Sequence, residues 1–310
     1  MNYAPLTGLA IGDALGMPFE TAPPDRPDLV AWDGRWFAGD TPGNEYHNLK
    51  PGQWTDDTQM SLALTETILE RGRYEPEAVA RSYLRWFESE DCRGIGGATK
   101  AALGRLKDGF PWYQCGTLGA LGNGPAMRAA PLGLTSRITD KVLANARTDA
   151  MITHRCVDAE EGAVAIAFAV HHLIDQGTTA KKELLPRILE LMRPCKLHEH
   201  LRYLDNTCPL NQGSLPEISK TFEWSTRGAV GNTLVTVPAA LACFLTTSSF
   251  EEAVIAAIKL GGDTDTTAAI TGALAGTFYG YKGIPMGWRD GIEDAARIRT
   301  LELALLLVAP

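Results

Sequence analysis

Along residues 56–71, apolar side chains return every three or four positions, placing Met60, Leu64, Thr67 and Ile68 on one face. The run opens after Thr55 and stops at Gly72, so the spacing predicts an amphipathic helix with defined ends. Residues 77–88 repeat the period through Val79, Tyr83, Leu84 and Phe87. Residues 160–174 are alanine-rich and apolar nearly all round, the pattern of a buried helix. Segments 184–192 and 249–260 are also amphipathic, the second starting at Ser249 ahead of Glu251 and Glu252. Residues 263–279 predict a long helix whose Gly272 and Gly276 would admit another backbone at close range. A last helix is expected over 291–308. No stretch of four or more residues alternates as a strand does, and Val235-Thr236-Val237 is cut short by Pro238. These patterns predict an all-α fold, a single compact helical domain over 1–310.

Two regions break the pattern. Residues 21–51 are rich in Pro, Gly, Asp and Asn and read as a long surface loop of the kind that lines sites. Residues 195–224 mix His, Asn, Pro and Gly and read as a loop with one short helix. The chain of 310 residues is 45% hydrophobic and carries a net charge of −8. That balance argues against a broad nucleic-acid-binding surface. The most apolar stretches, 161–174 and 303–309, are too short or too interrupted to cross a bilayer. Residues 1–6 lack the basic and apolar regions of a secretory leader. Six cysteines lie scattered with no C-x-x-C pair, which points to reduced thiols and a cytoplasmic location, and away from a zinc–cysteine site. The histidine pairs His171-His172 and His198/His200 have no acidic or cysteine partner at ligand spacing and read as surface or helix-face residues.

Two acidic segments carry the candidate chemistry. Trp54-Thr55-Asp56-Asp57-Thr58 and Gly261-Gly262-Asp263-Thr264-Asp265-Thr266-Thr267 each open a predicted helix, about 200 residues apart. Asp and Thr are ordinary helix caps, and a carboxylate there is favoured by the macrodipole. Capping, however, needs one side chain, and each segment spends several. If the two helix starts dock together, four carboxylates converge and repel one another unless cations are present. Carboxylate and hydroxyl oxygens suit Mg²⁺ or Mn²⁺, and two such ions would balance four negative charges.

Other motifs join these in chain order. They are Gly8-Leu9-Ala10-Ile11-Gly12-Asp13-Ala14-Leu15-Gly16 with Glu20, Arg93-Gly94-Ile95-Gly96, Gly122-Asn123-Gly124 with Met127-Arg128, and Thr153-His154. Together with the acidic segments, this set resembles the ADP-ribosylglycohydrolase family nearly end to end. The resemblance implies an orthogonal all-α bundle, a binuclear centre of two Mg²⁺ (or Mn²⁺), and hydrolysis of the bond between ADP-ribose C1″ and an acceptor. By position it implies Thr55, Asp56, Asp57, Asp263, Asp265 and Thr266 as metal ligands. Glu20, Asp56 and Asp265 are the catalytic candidates; Gly94, Ile95, Gly96, Asn123, Gly124, Met127 and His154 are the substrate-binding ones. The implied partner is an ADP-ribosylated protein or a small ADP-ribosyl conjugate, handled by a monomer.

Glycines in the 122–124 run remove the Cβ atoms that would keep backbone N–H groups from a pyrophosphate. Pro125, where a small residue is usual in the family, brings no N–H. Arginine-directed members carry Asp-Ile-Gly where this chain has Gly94-Ile95-Gly96, and the nearest acid, Asp91, lies three residues upstream. The Arg-Gly-x-Gly form is closer to the serine-directed branch, so an O-linked acceptor is expected to be cleaved faster than an arginine-linked one. The competing readings are a catalytically silent ADP-ribose-binding or structural protein on the same scaffold, and a Mg²⁺-dependent nucleotide phosphohydrolase.

Overall fold

The computed structural model describes residues 2–36, 49–207 and 211–308. The first helices are Pro5–Gly16 (α1), Pro27–Ala31 (α2), Asp56–Arg71 (α3), Pro76–Phe87 (α4), Gly97–Lys107 (α5) and Trp112–Cys115 (α6). The middle of the chain holds Gly124–Met127 (α7), Thr139–Thr153 (α8), Val157–Gln176 (α9), Ala180–Leu191 (α10), Lys196–Thr207 (α11) and Leu215–Thr221 (α12). Trp224–Arg227 (α13), Thr233–Leu245 (α14), Phe250–Lys259 (α15), Thr264–Tyr279 (α16), Met286–Gly291 (α17) and Ala295–Val308 (α18) complete the order. Two strands, Thr117–Leu118 (β1) and His154–Arg155 (β2), pair in parallel, with Thr117 opposite His154. At two residues each they are too short to leave a periodic signal in the sequence.

The centre of the fold is the pair α1 and α16. Every residue of α1 is buried, Asp13 included, as expected of a helix that is apolar all round. Gly8, Gly12 and Gly16 recur at four-residue spacing and form one seam. A Cβ on Gly12 would stand 2.0 Å from the Ala268 carbonyl oxygen, and one on Gly8 2.1 Å from that of Gly272. From the other side, a Cβ on Gly276 would meet the Ala4 carbonyl at 2.2 Å. The close approach foreseen from Gly272 and Gly276 is therefore made to α1. Helices α15, α14 and α9 pack around α16, and α3 and α18 flank α1.

Several expectations need correction. Residues 195–224 are not mainly loop: they include α11, α12 and the start of α13, and α11 has Leu197, Leu201 and Leu204 at helical spacing, set among polar residues. Val235-Thr236-Val237 lies inside helix α14 despite Pro238. Proline leaves the Leu234 carbonyl without its helical N–H, and His200 Nδ1 stands 3.1 Å from that oxygen in its place. The final helix begins at Ala295, after a separate α17 and a left-handed Asp294 (φ 54°). Within the expected 21–51 loop, 27–31 are helical and 37–48 lie outside the described residues. His172 and His198 sit on helices but are turned inward, His172 stacked on Phe168 at 5.4 Å. The five described cysteines are free; Cys208 lies outside the described residues. No helix among the described residues is long and apolar enough to cross a membrane.

Candidate active site

The α1–α16 seam sets the N-terminus of α3 beside that of α16. Asp13, in the last turn of α1, accepts from the backbone N–H of Thr55 (3.0 Å) and Thr58 (3.1 Å) and from both hydroxyls, Thr55 Oγ1 at 2.8 Å and Thr58 Oγ1 at 2.6 Å. It therefore caps α3 from a different helix. This leaves Asp56 and Asp57 free of capping duty, and neither α3 nor α16 has a cap bond from its own N-cap side chain.

The start of α16 is fixed by Gly261 and Gly262, both left-handed (φ 71° and 81°), a region open to glycine at little cost. Gly262 N donates to the Ala22 carbonyl, and the Gly262 carbonyl accepts from Thr21 N, each at 2.7 Å. Asp263 N donates to Ala229 O at 2.7 Å. This lacing brings Glu20, which follows the 3₁₀ turn Met17–Phe19, to the mouth of α16. Carboxylate oxygens of Glu20, Asp263 and Asp265 lie within 4.8 Å of one another, as do those of Asp13, Asp57 and Asp265. Asp265 belongs to both groups.

Charge at this density is costly. Burial raises the carboxyl pKa of Asp56 well above the usual range, and the negative charges of Asp13, Asp263 and Glu20 add to it. Asp57 is raised for the same reasons, burial first and then Asp13, Asp56, Asp263 and Glu20. Asp265 is raised by burial and then by Glu20, Asp263 and Asp57. Asp13 is pushed up to about 6 by burial, against its four hydrogen bonds. Asp57 Oδ1 is buried with no hydrogen-bond partner, while Oδ2 receives only a 3.4 Å contact from Thr266 Oγ1. An orphaned carboxylate oxygen among like charges is what a cation would satisfy, so the residues fit the oxygen-only centre expected from the sequence. Thr55 is fully buried beneath the cleft, with its hydroxyl on Asp13.

Above the acids opens a cleft of about 250 Å³. Glu20, Asp56, Asp263, Asp265 and Thr266 line it together with Gly94, Gly96, Asn123, Gly124, Met127 and His154. Most of the predicted site residues therefore meet in one place. Ile95 is the exception on the glycine loop, its side chain packing against the core. The Asn123 amide is committed to protein groups, donating to Asp263 Oδ2 at 2.6 Å and Thr236 Oγ1 at 3.0 Å. It thus orients an acid of the cluster. Pro125 sits in the first turn of α7, where a missing N–H costs nothing. The glycine loop is tethered by Arg93, which bonds Glu293 Oε2 (2.6 Å), Asp91 Oδ1 (2.8 Å) and the Trp54 carbonyl (2.9 Å). Loop and α3 are thereby held together.

Sequence reasoning gave no role to Asp13, Thr99 or Gly231, all of which belong to the site. Asp13 did leave a signal: it is the one charged residue in an otherwise apolar α1, and a buried charge asks for partners.

The family model described as ADP-ribosylglycohydrolase matches residues 3–309. The chain is 31% identical to the ADP-ribosylarginine hydrolase Tri1 of Serratia proteamaculans, over 98% of this chain and 78% of that one. It is 28% identical to the ADP-ribosylhydrolase ARH3 of Danio rerio, over 94% and 86%. A solved ADP-ribosylglycohydrolase-related protein complex superposes with a TM-score of 0.76 at 31% identity, covering 99% of this chain and 96% of that one. The chain belongs to the ADP-ribosylglycohydrolase family.

Proposed function

We propose that this enzyme, a hydrolase of ADP-ribosyl glycosidic bonds, removes ADP-ribose from a modified protein side chain or small conjugate with two divalent cations, Mg²⁺ or Mn²⁺, held by Thr55, Asp56, Asp57, Asp263, Asp265 and Thr266. The observation that carries this reading is the pair of carboxylate groups sharing Asp265, with Asp57 Oδ1 in one of them left unsatisfied. When bound, the cations would supply positive charge, a seat for ribose hydroxyls and a polarised water. Glu20 lines the cleft beside Asp263 and Asp265, where its carboxylate would accept a proton from the attacking water. The water's oxygen joins C1″, the C1″–acceptor bond breaks through an oxocarbenium-like transition state, and the acceptor leaves with the proton that Glu20 took from the water. Gly94, Gly96 and Gly124 bring backbone close to the ligand, and Met127 and His154 line the same cleft. We place the enzyme in the cytoplasm as a monomeric single domain.

Gly94, in place of an acid, favours an O-linked acceptor; the relative named as an ADP-ribosylarginine hydrolase favours arginine. A panel of serine-, ester- and arginine-linked ADP-ribosyl substrates, analysed for products with Mg²⁺ present, tests both points. Intact ADP-ribose is expected, with O-linked substrates turned over faster. Release of AMP or phosphate would instead mark a phosphohydrolase. ADP-ribose binding without turnover on any linkage would mark a silent binder, and faster arginine release would reverse the linkage preference.

A further inference from the structure

Arg128 is fully buried, lies one turn beyond the Gly122-Asn123-Gly124 run, and does not itself line the cleft. Its Nε donates to Asp149 Oδ2 at 2.8 Å, and its guanidinium lies over the Tyr83 ring, whose hydroxyl donates to Asp149 Oδ1 at 3.0 Å. Nη1 donates to the Gly124 carbonyl at 3.1 Å, and Nη2 to Thr153 Oγ1 at 2.8 Å. A guanidinium has no lone pair to accept with, so the Thr153 oxygen is the acceptor in that last bond. The Thr153 hydroxyl proton then needs an acceptor of its own. Among the described residues the one in reach is His154 Nδ1, at 2.9 Å.

This chain of donors decides the histidine's tautomer. If Nδ1 accepts, the neutral ring carries its proton on Nε2. Nε2 makes no hydrogen bond among the described residues and borders the glycine run. A Cβ on Gly122 would stand 2.8 Å from it, and the ring lines the cleft. Burial and the Arg128 charge also hold His154 down at about 3, so the ring is neutral at ordinary pH. No lysine or arginine lines the cleft among the described residues, so a neutral donor of fixed direction counts for more here than it would beside a cation.

We infer that Arg128 is a positioning residue: through Thr153 it locks His154 in the Nε2–H form, presenting one fixed donor to an acceptor oxygen of the bound ligand, a phosphate or ribose oxygen if the ligand is ADP-ribose. The ligand's identity rests on the function proposed above; the tautomer does not.

The test is ¹⁵N–¹H correlation spectroscopy of the full chain labelled at its 6 histidines, with His154 assigned by loss of its signals in His154→Gln. The wild type is expected to show a protonated Nε2 and an unprotonated Nδ1. Thr153→Val should lose that single pattern and weaken ADP-ribose binding by about tenfold, the scale of one hydrogen bond. Thr153→Ser should restore both. A wild-type spectrum with the proton on Nδ1 would overturn the proposal, even if Thr153→Val fails to fold. So would a folded Thr153→Val with unchanged His154 pattern and unchanged affinity. Failure of the wild type to bind ADP-ribose would count against the proposed function while leaving the spectrum to decide the relay.

Discussion

Glu20 is the carboxylate whose role depends most on where the chain puts it. By itself a glutamate after a 3₁₀ turn is an ordinary solvated side chain; here it closes a triangle with Asp263 and Asp265 and faces the cleft. Glu20→Gln keeps shape and hydrogen-bonding capacity and removes the base, so turnover should fall by about 10²-fold or more while ADP-ribose affinity changes little. Steady-state kinetics with calorimetric binding would check this, and near-wild-type turnover would remove Glu20 from the chemistry. At this scale much of the site was legible in advance, because Asp56-Asp57 and Asp263-Thr264-Asp265 spend more acids than capping can use. What could not be read was who caps α3. Asp13 lies 42 residues before Thr55, and no local pattern links an acid in one helix to the orphan N–H groups of another. Likewise, nothing in Gly122-Asn123-Gly124 says that the asparagine amide turns toward Asp263 rather than toward a ligand.

Among the elements, the α1–α16 seam decides whether the acids meet at all. Glycine at 8, 12 and 16 lets the backbones touch, and Thr264 Oγ1 donates to the Gly16 carbonyl at 2.7 Å across the contact. Gly12→Ala would drive a methyl into the Ala268 carbonyl. The gain in helix propensity, about 1 kcal/mol, is outweighed by overpacking that typically costs about 1–3 kcal/mol and here meets backbone, which cannot rotate away. A lower unfolding midpoint in denaturant is expected, together with reduced activity, because any separation of α1 from α16 moves Asp13 relative to Asp265. An unchanged midpoint would show that the seam is looser than described. The long helices were legible from their 3.6-residue period, and Gly272 and Gly276 even announced a close neighbour. Helix α11 was legible only through Leu197, Leu201 and Leu204, which recur at helical spacing and are its buried apolar side chains; the His, Asn, Pro and Gly around them read as loop. Helix α14 was hidden by Pro238, because its compensation comes from His200 on another helix.

Across the whole molecule, the acid cluster sets a pH dependence whose sign is opposite to that of salt-bridged carboxylates. Asp13 rises from 3.8 to about 6 on burial, and Asp56, Asp57 and Asp265 are raised by burial and by one another. A carboxyl raised in the folded state favours folding below its unfolded pKa, and that contribution is lost as the pH climbs through the folded value. Chelator-treated protein should therefore lose thermal stability as the pH rises from about 4 through about 6 and on toward neutrality. Added Mg²⁺ should reverse the loss most strongly at the upper end, where the carboxylates are ionised and free to bind it. Scanning calorimetry across that range, with and without the ion, reads this directly. A metal-free stability that rises steadily with pH would contradict it.

The proposed activity requires that the two acidic helix starts form a cation centre at which ADP-ribosyl bonds are cleaved. Asp265 is common to both carboxylate groups, so it is the residue on which to test the claim. Release of free ADP-ribose should be followed in chelator-treated wild type and in Asp265→Ala as Mg²⁺ is added. The wild type should be silent without the ion and recover with it, while Asp265→Ala, still folded, should bind the ion weakly and stay near background. Full release by stripped wild type, or by Asp265→Ala at ordinary Mg²⁺, would contradict the account.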